Sequence, residues 1–267
     1  MDTLSLELII IIVLIAFLFE IMDSGAGMGF GTGLAPLLLL MGFEPLQIVP
    51  TILISESITG FVDSYFDNEF KNVEYKFRPL NDSTRLALII AFFGCISIII
   101  SVFLTYAALN LPKSFIKFYV AILILFMGIF AIFRIRITQK KDLIPKPKLM
   151  ILFAALAGFN KGVGGGGYGP VITLGEVSCG IYEKSATAIV SFSEAIVSVA
   201  GIITFLIVST IGVKVDFILL PWIFTGAFFG ALITPYIVRV VPNKFWKIII
   251  PIYAIGIGTY ILYTIFT

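Results

Sequence analysis

The sequence predicts an all-α integral membrane protein made of two inverted repeats, each with about five helical segments and a glycine-rich helix break. Two features of the composition support this fold class: 59% of the 267 residues are hydrophobic, and only 13% are charged. Soluble domains carry about 25% charged residues. A soluble chain with so few charges could not cover its core with polar surface. A third observation, that similar segments recur in both halves of the chain, predicts the two repeats.

Several classes of protein are excluded by what the chain lacks. A net charge of +2 provides no large basic surface for nucleic acid, and the absence of histidine removes the commonest general base and metal ligand. Cys95 and Cys179 show no metal-binding spacing, and neither HExxH nor GxSxG occurs. We therefore predict that the protein is not an enzyme and holds neither a metal nor a cofactor.

Ten apolar segments, separated by short polar or glycine-rich stretches, predict the helices. In chain order they are 4–22, 30–41, 46–62, 85–109, 115–135, 149–160, 168–180, 185–208, 217–238 and 245–266. A transmembrane helix needs about 20 apolar residues, so the segments 30–41, 149–160 and 168–180 are short. They flank glycine-rich stretches, and short interrupted helices at matching places are typical of carriers built from repeats.

Four matches in the same order indicate an internal repeat. They are GAGMGFGTGLAP (25–36) with KGVGGGGYGP (161–170), Gly42 and Glu56 with Gly180 and Glu194 at equal spacing, AFFGC (91–95) with AFFGA (227–231), and LPKSFIK (111–117) with VPNKFWK (241–247). We therefore divide the chain into a first transmembrane repeat (1–137), a linker (138–148) and a second repeat (149–267), which together form one domain.

The distribution of lysine and arginine predicts the orientation in the membrane. The strongest basic cluster surrounds the linker, and basic residues mark cytoplasmic loops. Five helical segments per half, an odd number, invert the second half relative to the first. The linker is then cytoplasmic and both termini lie outside.

The glycine-rich breaks are the first candidate binding elements. Their residues are Gly29, Gly31 and Gly33 in the first half, and Gly164, Gly165, Gly166, Gly167 and Tyr168 in the second. Unwound backbone inside a bilayer must be buried in protein or line a cavity. The helices that follow begin near Pro36 and Pro170, and their N-termini would present free N–H groups to an anion. The alternative is that the glycines serve only close helix packing.

Lys161 and its neighbour Asn160 are the second candidate. An ionisable side chain at membrane depth is costly and marks a functional site by default. We expect Lys161 to neutralise a bound anion and Asn160 to donate a hydrogen bond to it. The alternative is a lysine whose ammonium group extends to the membrane surface.

Glu56 and Glu194 form the third candidate, and each lies near the middle of its predicted helix beside serine residues, Ser55 and Ser193. Burial disfavours the charged form of a carboxyl group, so a proton on either glutamate could be coupled to anion binding. The alternative is that each glutamate caps free N–H groups of a broken helix. Because Lys161 and the GGGG run lie in the second half, we expect Glu194 to be the stronger determinant of the proton coupling.

Other acidic residues receive an ordinary interpretation. Glu20 and Asp23 end the first helix, where we expect them to face cytoplasmic water. The stretch from Asp63 to Asp82 mixes acidic and basic residues and predicts a solvated loop.

The chain resembles the sulfite exporter TauE/SafE family, also called the toluene-sulfonate uptake permease family. The resemblance is carried by the two repeats, the charged central linker and the breaks followed by proline, most specifically GVGGGGYGP in the second half. It implies a multi-pass protein of the plasma (inner) membrane that transports sulfite or sulfur-containing organic anions. The first break departs from the pattern because it lacks a GGG triplet.

These observations predict a secondary transporter for a small anion, coupled to protons, and the resemblance implies that the anion is sulfite or an organosulfonate. No Walker A motif occurs, so ATP does not drive transport directly. Two alternatives remain open: a carrier of Na⁺ or a metal ion that uses Glu56 and Glu194, and an anion channel. The expected partners are the anion and membrane lipid, without nucleic acid, and the sequence gives no oligomeric state.

Overall fold

The computed structural model describes residues 4–27, 29–134, 147–178, 181, 183–240 and 243–267, and in these ranges it contains ten α-helices. The helices are α1 (Leu6–Ala26), α2 (Ala35–Leu40), α3 (Pro45–Glu69), α4 (Asp82–Val102), α5 (Lys113–Arg134), α6 (Pro147–Gly164), α7 (Tyr168–Ser178), α8 (Glu183–Thr210), α9 (Leu220–Val240) and α10 (Asn243–Phe266). Two π-helical segments, Phe30–Leu34 and Phe103–Ala108, precede α2 and extend α4. The predicted linker 138–148 lies mostly outside the described residues.

Each predicted apolar segment coincides with one helix, so the all-α prediction is confirmed. Within the described residues, three helices are long and apolar enough to cross a membrane: Pro45–Glu69, Asp82–Ala108 and Ser185–Thr210. The three shorter apolar helices are Phe30–Leu40, Leu220–Thr234 and Pro251–Phe266.

The helix ends follow from local sequence. Ser5 caps α1 by accepting the N–H of Leu8, and Asn81 caps α4 in the same way. α3 begins with Pro45 at its first position, behind a capping box formed by Glu44 and Gln47. These signals fix where the helices enter the bundle.

The distribution of side chains is that of a protein in lipid. Large apolar side chains are exposed on the outside of the bundle, among them Ile10, Phe92, Ile100, Leu206 and Ile252. Ionisable side chains are buried inside it, namely Glu20, Glu56, Asp63, Lys161, Glu176 and Glu194. Charged groups inside a membrane face the interior of the bundle and mark functional sites.

The helices pack in pairs that match between the halves. α3 packs on α8, and α5 packs on α10. The pair α1 and α9 corresponds to α6 and α4, and the pair α3 and α9 corresponds to α8 and α4. This pattern is the one that a repeated chain produces, while the inversion of one half relative to the other stays a prediction.

The interpretation of Asp63 as part of a solvated loop is wrong. α3 continues to Glu69, and Asp63 lies within it with only 8% of its surface exposed. The loop is confined to residues 70–81, because α3, which packs on α8, continues through these acidic residues to Glu69.

Candidate functional site

The two glycine-rich breaks cross each other inside the bundle. Gly27 directly follows α1 and Gly165 directly follows α6, and both have positive φ (67° and 77°). After these turns, Gly31 of the first break lies against Gly166 of the second. A Cβ atom on Gly31 would overlap the carbonyl oxygen of Gly165, and one on Gly166 would overlap the carbonyl oxygen of Gly31. Glycine is therefore required for the backbones to approach this closely.

A hydrogen bond joins the two breaks. The N–H of Gly167 donates to the hydroxyl oxygen of Thr32 at 3.1 Å. Because Thr32 belongs to the first half and Gly167 to the second, this bond satisfies a free N–H group of one broken helix with a side chain from the other.

Lys161 lies at the centre of the site. It comes from the last turn of α6 and has 0% of its surface exposed. Its ammonium group donates to Oε2 of Glu56 from α3 and, at 2.6 Å, to Oε1 of Glu194 from α8. The alternative of a lysine that extends to the membrane surface is therefore wrong. We call Glu56, Lys161 and Glu194 the triad.

Among the described residues, Glu56 has a second hydrogen-bond donor besides Lys161, whereas Glu194 has Lys161 alone. The N–H of Gly31 donates to Oε1 of Glu56 at 3.1 Å. Glu56 thus accepts hydrogen bonds from a free backbone N–H group and from Lys161 at once. The capping contact that the sequence suggested is present for Glu56, and its role in proton coupling stays a prediction.

Tyr168 covers one side of the triad. The Lys161 ammonium lies 5.5 Å from the centre of the Tyr168 ring, within the range of a cation–π interaction. The Tyr168 hydroxyl donates to Oγ of Ser193 at 3.2 Å, and Ser193 donates to the carbonyl of Val190. Two residues predicted for the site, Tyr168 and Ser193, are therefore in contact beside Lys161.

A small polar cavity adjoins the triad on the side of α1. The residues that line it come from α1, α3 and α8: Glu20, Asp23, Glu56, Thr59, Gly60, Asp63, Ser191 and Glu194. Glu20 is 2% exposed, so the expectation that it faces water is wrong, and Asp23 lies in the same cavity. The hydroxyl of Ser24 donates to Oδ2 of Asp63 at 2.6 Å.

Sequence reasoning missed that Glu20, Asp23 and Asp63 line the cavity beside the triad. The available signal was helical spacing. Asp63 follows Glu56 by two turns on one face of α3, and Asp23 follows Glu20 by about one turn of α1. Burial of these faces depends on the packing of α1 against α9, which brings Gly230 against the Glu20 side chain.

Three predicted glycines make their closest contacts elsewhere. A Cβ on Gly33 would overlap the ring of Phe19, and one on Gly29 would press on the backbone of α1. A Cβ on Gly164 would meet the side chain of Val120 on α5. These glycines shape the breaks, and their predicted part in binding remains a prediction.

Ser55 and Asn160 are buried with partners of their own. The Ser55 hydroxyl donates to the carbonyl of Thr51 in the same helix at 3.1 Å. Oδ1 of Asn160 accepts from the hydroxyl of Tyr119 on α5, while its Nδ2 has no hydrogen-bond partner within the described ranges. Asn160 therefore retains a free donor, as its predicted role requires.

The loop 70–81 packs over the start of α8. The Tyr75 hydroxyl donates to the carbonyl of Ala188 at 2.7 Å, and the Ser185 hydroxyl donates to the carbonyl of Asn72 at 3.0 Å. Burial raises the pKa of the Tyr75 hydroxyl, so it remains protonated and keeps donating.

Comparison with known proteins gives one family match that covers most of the chain. The model of the family described as sulfite exporter TauE/SafE matches residues 12–261. No curated protein matches the chain, and no solved structure matches it.

Proposed function

Because the chain belongs to the sulfite exporter TauE/SafE family, we propose that it is a proton-coupled secondary transporter of a small sulfur-containing anion, either sulfite or an organosulfonate. Membership of the family makes the protein a membrane transporter and not an enzyme. The substrate, the coupling to protons and the location in the inner membrane are parts of the proposal.

The buried triad is the observation that carries it. An ammonium group without access to water is a strong site for an anion, and its three N–H groups can serve several acceptors. Here the acceptors are the carboxylates of Glu56 and Glu194. An external anion must therefore replace one of them at Lys161.

Glu56 is the carboxylate that the anion replaces. Its two oxygens accept from Lys161 and from the N–H of Gly31, which are the donors that a small oxyanion would use at a helix break. The carboxylate of Glu56 thus stands in for the substrate anion. Because of its contact with Gly31, we expect Glu56 to determine the coupling of the proton to the anion more strongly than Glu194 does. The sequence alone favoured Glu194.

This competition couples the anion to a proton. With all three groups of the triad ionised, one positive charge faces two negative charges. Adding an anion would raise the buried negative charge further, and such charge is costly in a low-dielectric interior. Protonation of Glu56 removes its hold on Lys161 and offsets the charge of the arriving anion. Anion and proton therefore bind together and cross together.

One observation favours the rival proposal of a cation carrier. The cavity beside the triad contains more acidic than basic side chains, with Glu20, Asp23 and Asp63 added to the triad. However, no group of three acidic, histidine or cysteine side chains in the described ranges is placed to hold a metal ion. Lys161 at the centre also repels a cation, so the anion is the better substrate.

Transport in liposomes tests the proposal. Purified protein is reconstituted, and uptake of radiolabelled sulfite or toluene sulfonate is measured with and without an acidic exterior. We expect saturable uptake that the pH gradient accelerates, together with counterflow, which separates a carrier from a channel. Uptake that follows an Na⁺ gradient and ignores the pH gradient would favour the cation carrier. Uptake without saturation or counterflow would favour the channel.

A further inference from the structure

The acidic residues of α3 form a continuous stripe. Glu56, Asp63 and Asp67 lie two and then one further turn apart on one face of the helix, with Thr59 and Gly60 between them. Asp67 is at the end of the helix, where its Oδ1 accepts from Asn72 of the loop at 2.8 Å. The stripe therefore runs from the triad to the loop 70–81.

α1 completes the polar cavity beside this stripe. Glu20 and Asp23 line it together with Asp63, and Ser24 donates to Asp63. A Cβ atom on Gly29, in the first break, would lie 2.6 Å from the backbone nitrogen of Asp23. Asp23 thus lies between the first break and the cavity.

Glu20 shows what the cavity binds. Its Oε2 atom is buried and has no hydrogen-bond partner among the described residues. A buried ionised oxygen without a partner is strongly destabilising, so the group must hold a proton or face a cation. The side chains that line the cavity include five carboxyl groups and no basic group, and the ligand that fits the proposed coupling is a proton.

The corresponding positions of the second half carry no acidic group. Glu20 lies as far before Gly27 as Gly158 lies before Gly165, so Glu20 and Gly158 are corresponding positions. Gly158 packs against the backbone of Gly94. Asp63 lies as far after Glu56 as Gly201 lies after Glu194, so Asp63 and Gly201 are corresponding positions. Gly201 packs against Ile98 and Leu53. At these two positions the second half therefore has no side chain that could carry a proton.

We propose that Glu20, Asp23 and Asp63 form a proton-transfer path that connects the triad with the loop 70–81 on one side of the protein. The proposal rests on the proposed proton-coupled function and adds the residues through which the proton arrives. By the predicted orientation, that side is cytoplasmic. These three residues are positioning residues for the proton and do not contact the anion.

The transfer needs no further reactant. At each step an O–H bond of one carboxyl group breaks and an O–H bond forms on the next acceptor. The acceptor is either a carboxylate or a hydroxyl group, such as that of Ser24 beside Asp63. A hydroxyl group that accepts a proton passes its own proton on to the next group. The last acceptor is the Glu56 carboxylate, whose bond to Lys161 is thereby released.

The charged groups that face this path come from four helices. They are Glu20 and Asp23 of α1, Glu56, Asp63 and Asp67 of α3, Lys161 of α6 and Glu194 of α8. α9 faces Glu20 with Gly230. Lys161 is the one basic group among those named, so removal of a carboxyl group leaves no new unpaired positive charge in the path.

The test uses the full chain in liposomes that contain a pH-sensitive dye. Addition of sulfite should acidify the interior in the wild type. Glu20→Gln and Asp63→Asn should slow the acidification by about tenfold or more, while exchange of sulfite for sulfite at equal pH stays within about twofold of the wild type. Asp216→Asn, an exposed carboxyl group hydrogen-bonded to Gln47, is the matched control and should change neither rate.

Each outcome decides between the alternatives. Wild-type acidification rates in both Glu20→Gln and Asp63→Asn would overturn the path but leave the proposed function intact. Sulfite transport by the wild type without proton movement would refute the coupling, and the path with it. Loss of exchange together with acidification in variants that remain folded would make these residues part of the anion site and overturn the proposal.

A second measurement covers variants that fail to fold. A membrane-permeant carbodiimide reacts with protonated carboxyl groups, so the wild-type protein should be modified at Glu20 or Asp63, as read by mass spectrometry. Modification should stop acidification and leave sulfite exchange running. Absence of modification at both residues, or unchanged acidification after modification, would overturn the path.

Discussion

Asp23 and Lys161 occupy corresponding positions in the two halves with opposite charge. The carbonyl of Asp23 accepts from the N–H of Gly27 at 2.6 Å, and the carbonyl of Lys161 accepts from the N–H of Gly165 at 2.8 Å. Each residue is therefore four positions before the glycine that ends its helix. The backbone of the break is repeated, whereas the side chains differ, and the site has a basic group on one side and a carboxyl group on the other.

Lys161→Ala should both destabilise the protein and weaken sulfite binding. Without the ammonium group, Glu56 and Glu194 are left buried without a positive partner, which costs about 3–5 kcal/mol when both stay ionised. Lys161→Arg keeps the charge and should bind sulfite better than the alanine variant does. Thermal unfolding in detergent with and without sulfite measures both effects. If the alanine variant binds sulfite as tightly as the wild type, Lys161 is not an anion ligand.

Combining Lys161→Ala with Glu56→Gln should recover part of the lost stability, because one of the two unpaired carboxylates is then gone. Sulfite binding should not recover, since the ammonium group is still missing. The unfolding temperatures of the single and double variants form a mutant cycle that measures this coupling. If the change in unfolding temperature of the double variant equals the sum of the changes in the two single variants, Lys161 and Glu56 do not interact.

Glu56→Gln should separate binding from coupling. The amide cannot compete for Lys161 as a carboxylate does, so sulfite binding should persist and should no longer weaken as the pH rises. Transport driven by a pH gradient should fail, because no proton accompanies the anion. Glu194→Gln is the matched variant, and we expect a smaller change in the pH dependence because Glu194 lacks the contact with Gly31. Full gradient-driven transport in both variants would exclude both carboxyl groups as the coupling site.

The sequence was sufficient to locate the helices and the triad. Long apolar runs interrupted by glycine leave few choices in a membrane, and the cost of burying Lys161, Glu56 and Glu194 marks them before any contact is known. The contacts among them could not be predicted, because they depend on two breaks that are far apart in the chain. The close approach of Gly31 and Gly166 is a tertiary feature with no local signal.

Glu20 and Asp63 were missed for a different physical reason. An acidic residue near the end of an apolar run normally lies in water, and the sequence offers nothing local that reverses this expectation. Their burial comes from neighbours in other helices, such as Gly230 against Glu20 and Ser24 beside Asp63. Periodicity along α3 could have placed Asp63 on the face of Glu56, but it could not have shown that α1 covers that face.

Gly31→Ala should disrupt the crossing of the breaks. The new Cβ would overlap the carbonyl oxygen of Gly165 and come within 2.8 Å of Oε1 of Glu56. Overpacking of this kind costs about 1–3 kcal/mol, so we expect a lower unfolding temperature and loss of sulfite transport. Gly256→Ala in α10 is the matched control, because its Cβ meets nothing within 4 Å. It should change stability by at most about 1 kcal/mol, towards greater stability. Equal behaviour of the two variants would remove the packing argument.

The inverted orientation of the halves predicts that two corresponding loops lie on opposite sides of the membrane. The loop 70–81 follows α3 and carries Lys71, Lys76 and Arg78, whereas the loop after α8 carries Lys214 alone. Basic residues favour the cytoplasm, and Lys76 and Lys214 are both exposed. In a variant without the native cysteines, a cysteine at 214 should react with a membrane-impermeant maleimide added to intact cells. A cysteine at 76 should react only after the cells are opened. Reaction of both cysteines in intact cells would place the two loops on one side of the membrane and exclude the inversion. The reverse pattern would keep the inversion but give the protein the opposite orientation in the membrane. The path from Asp63 would then open outside the cell.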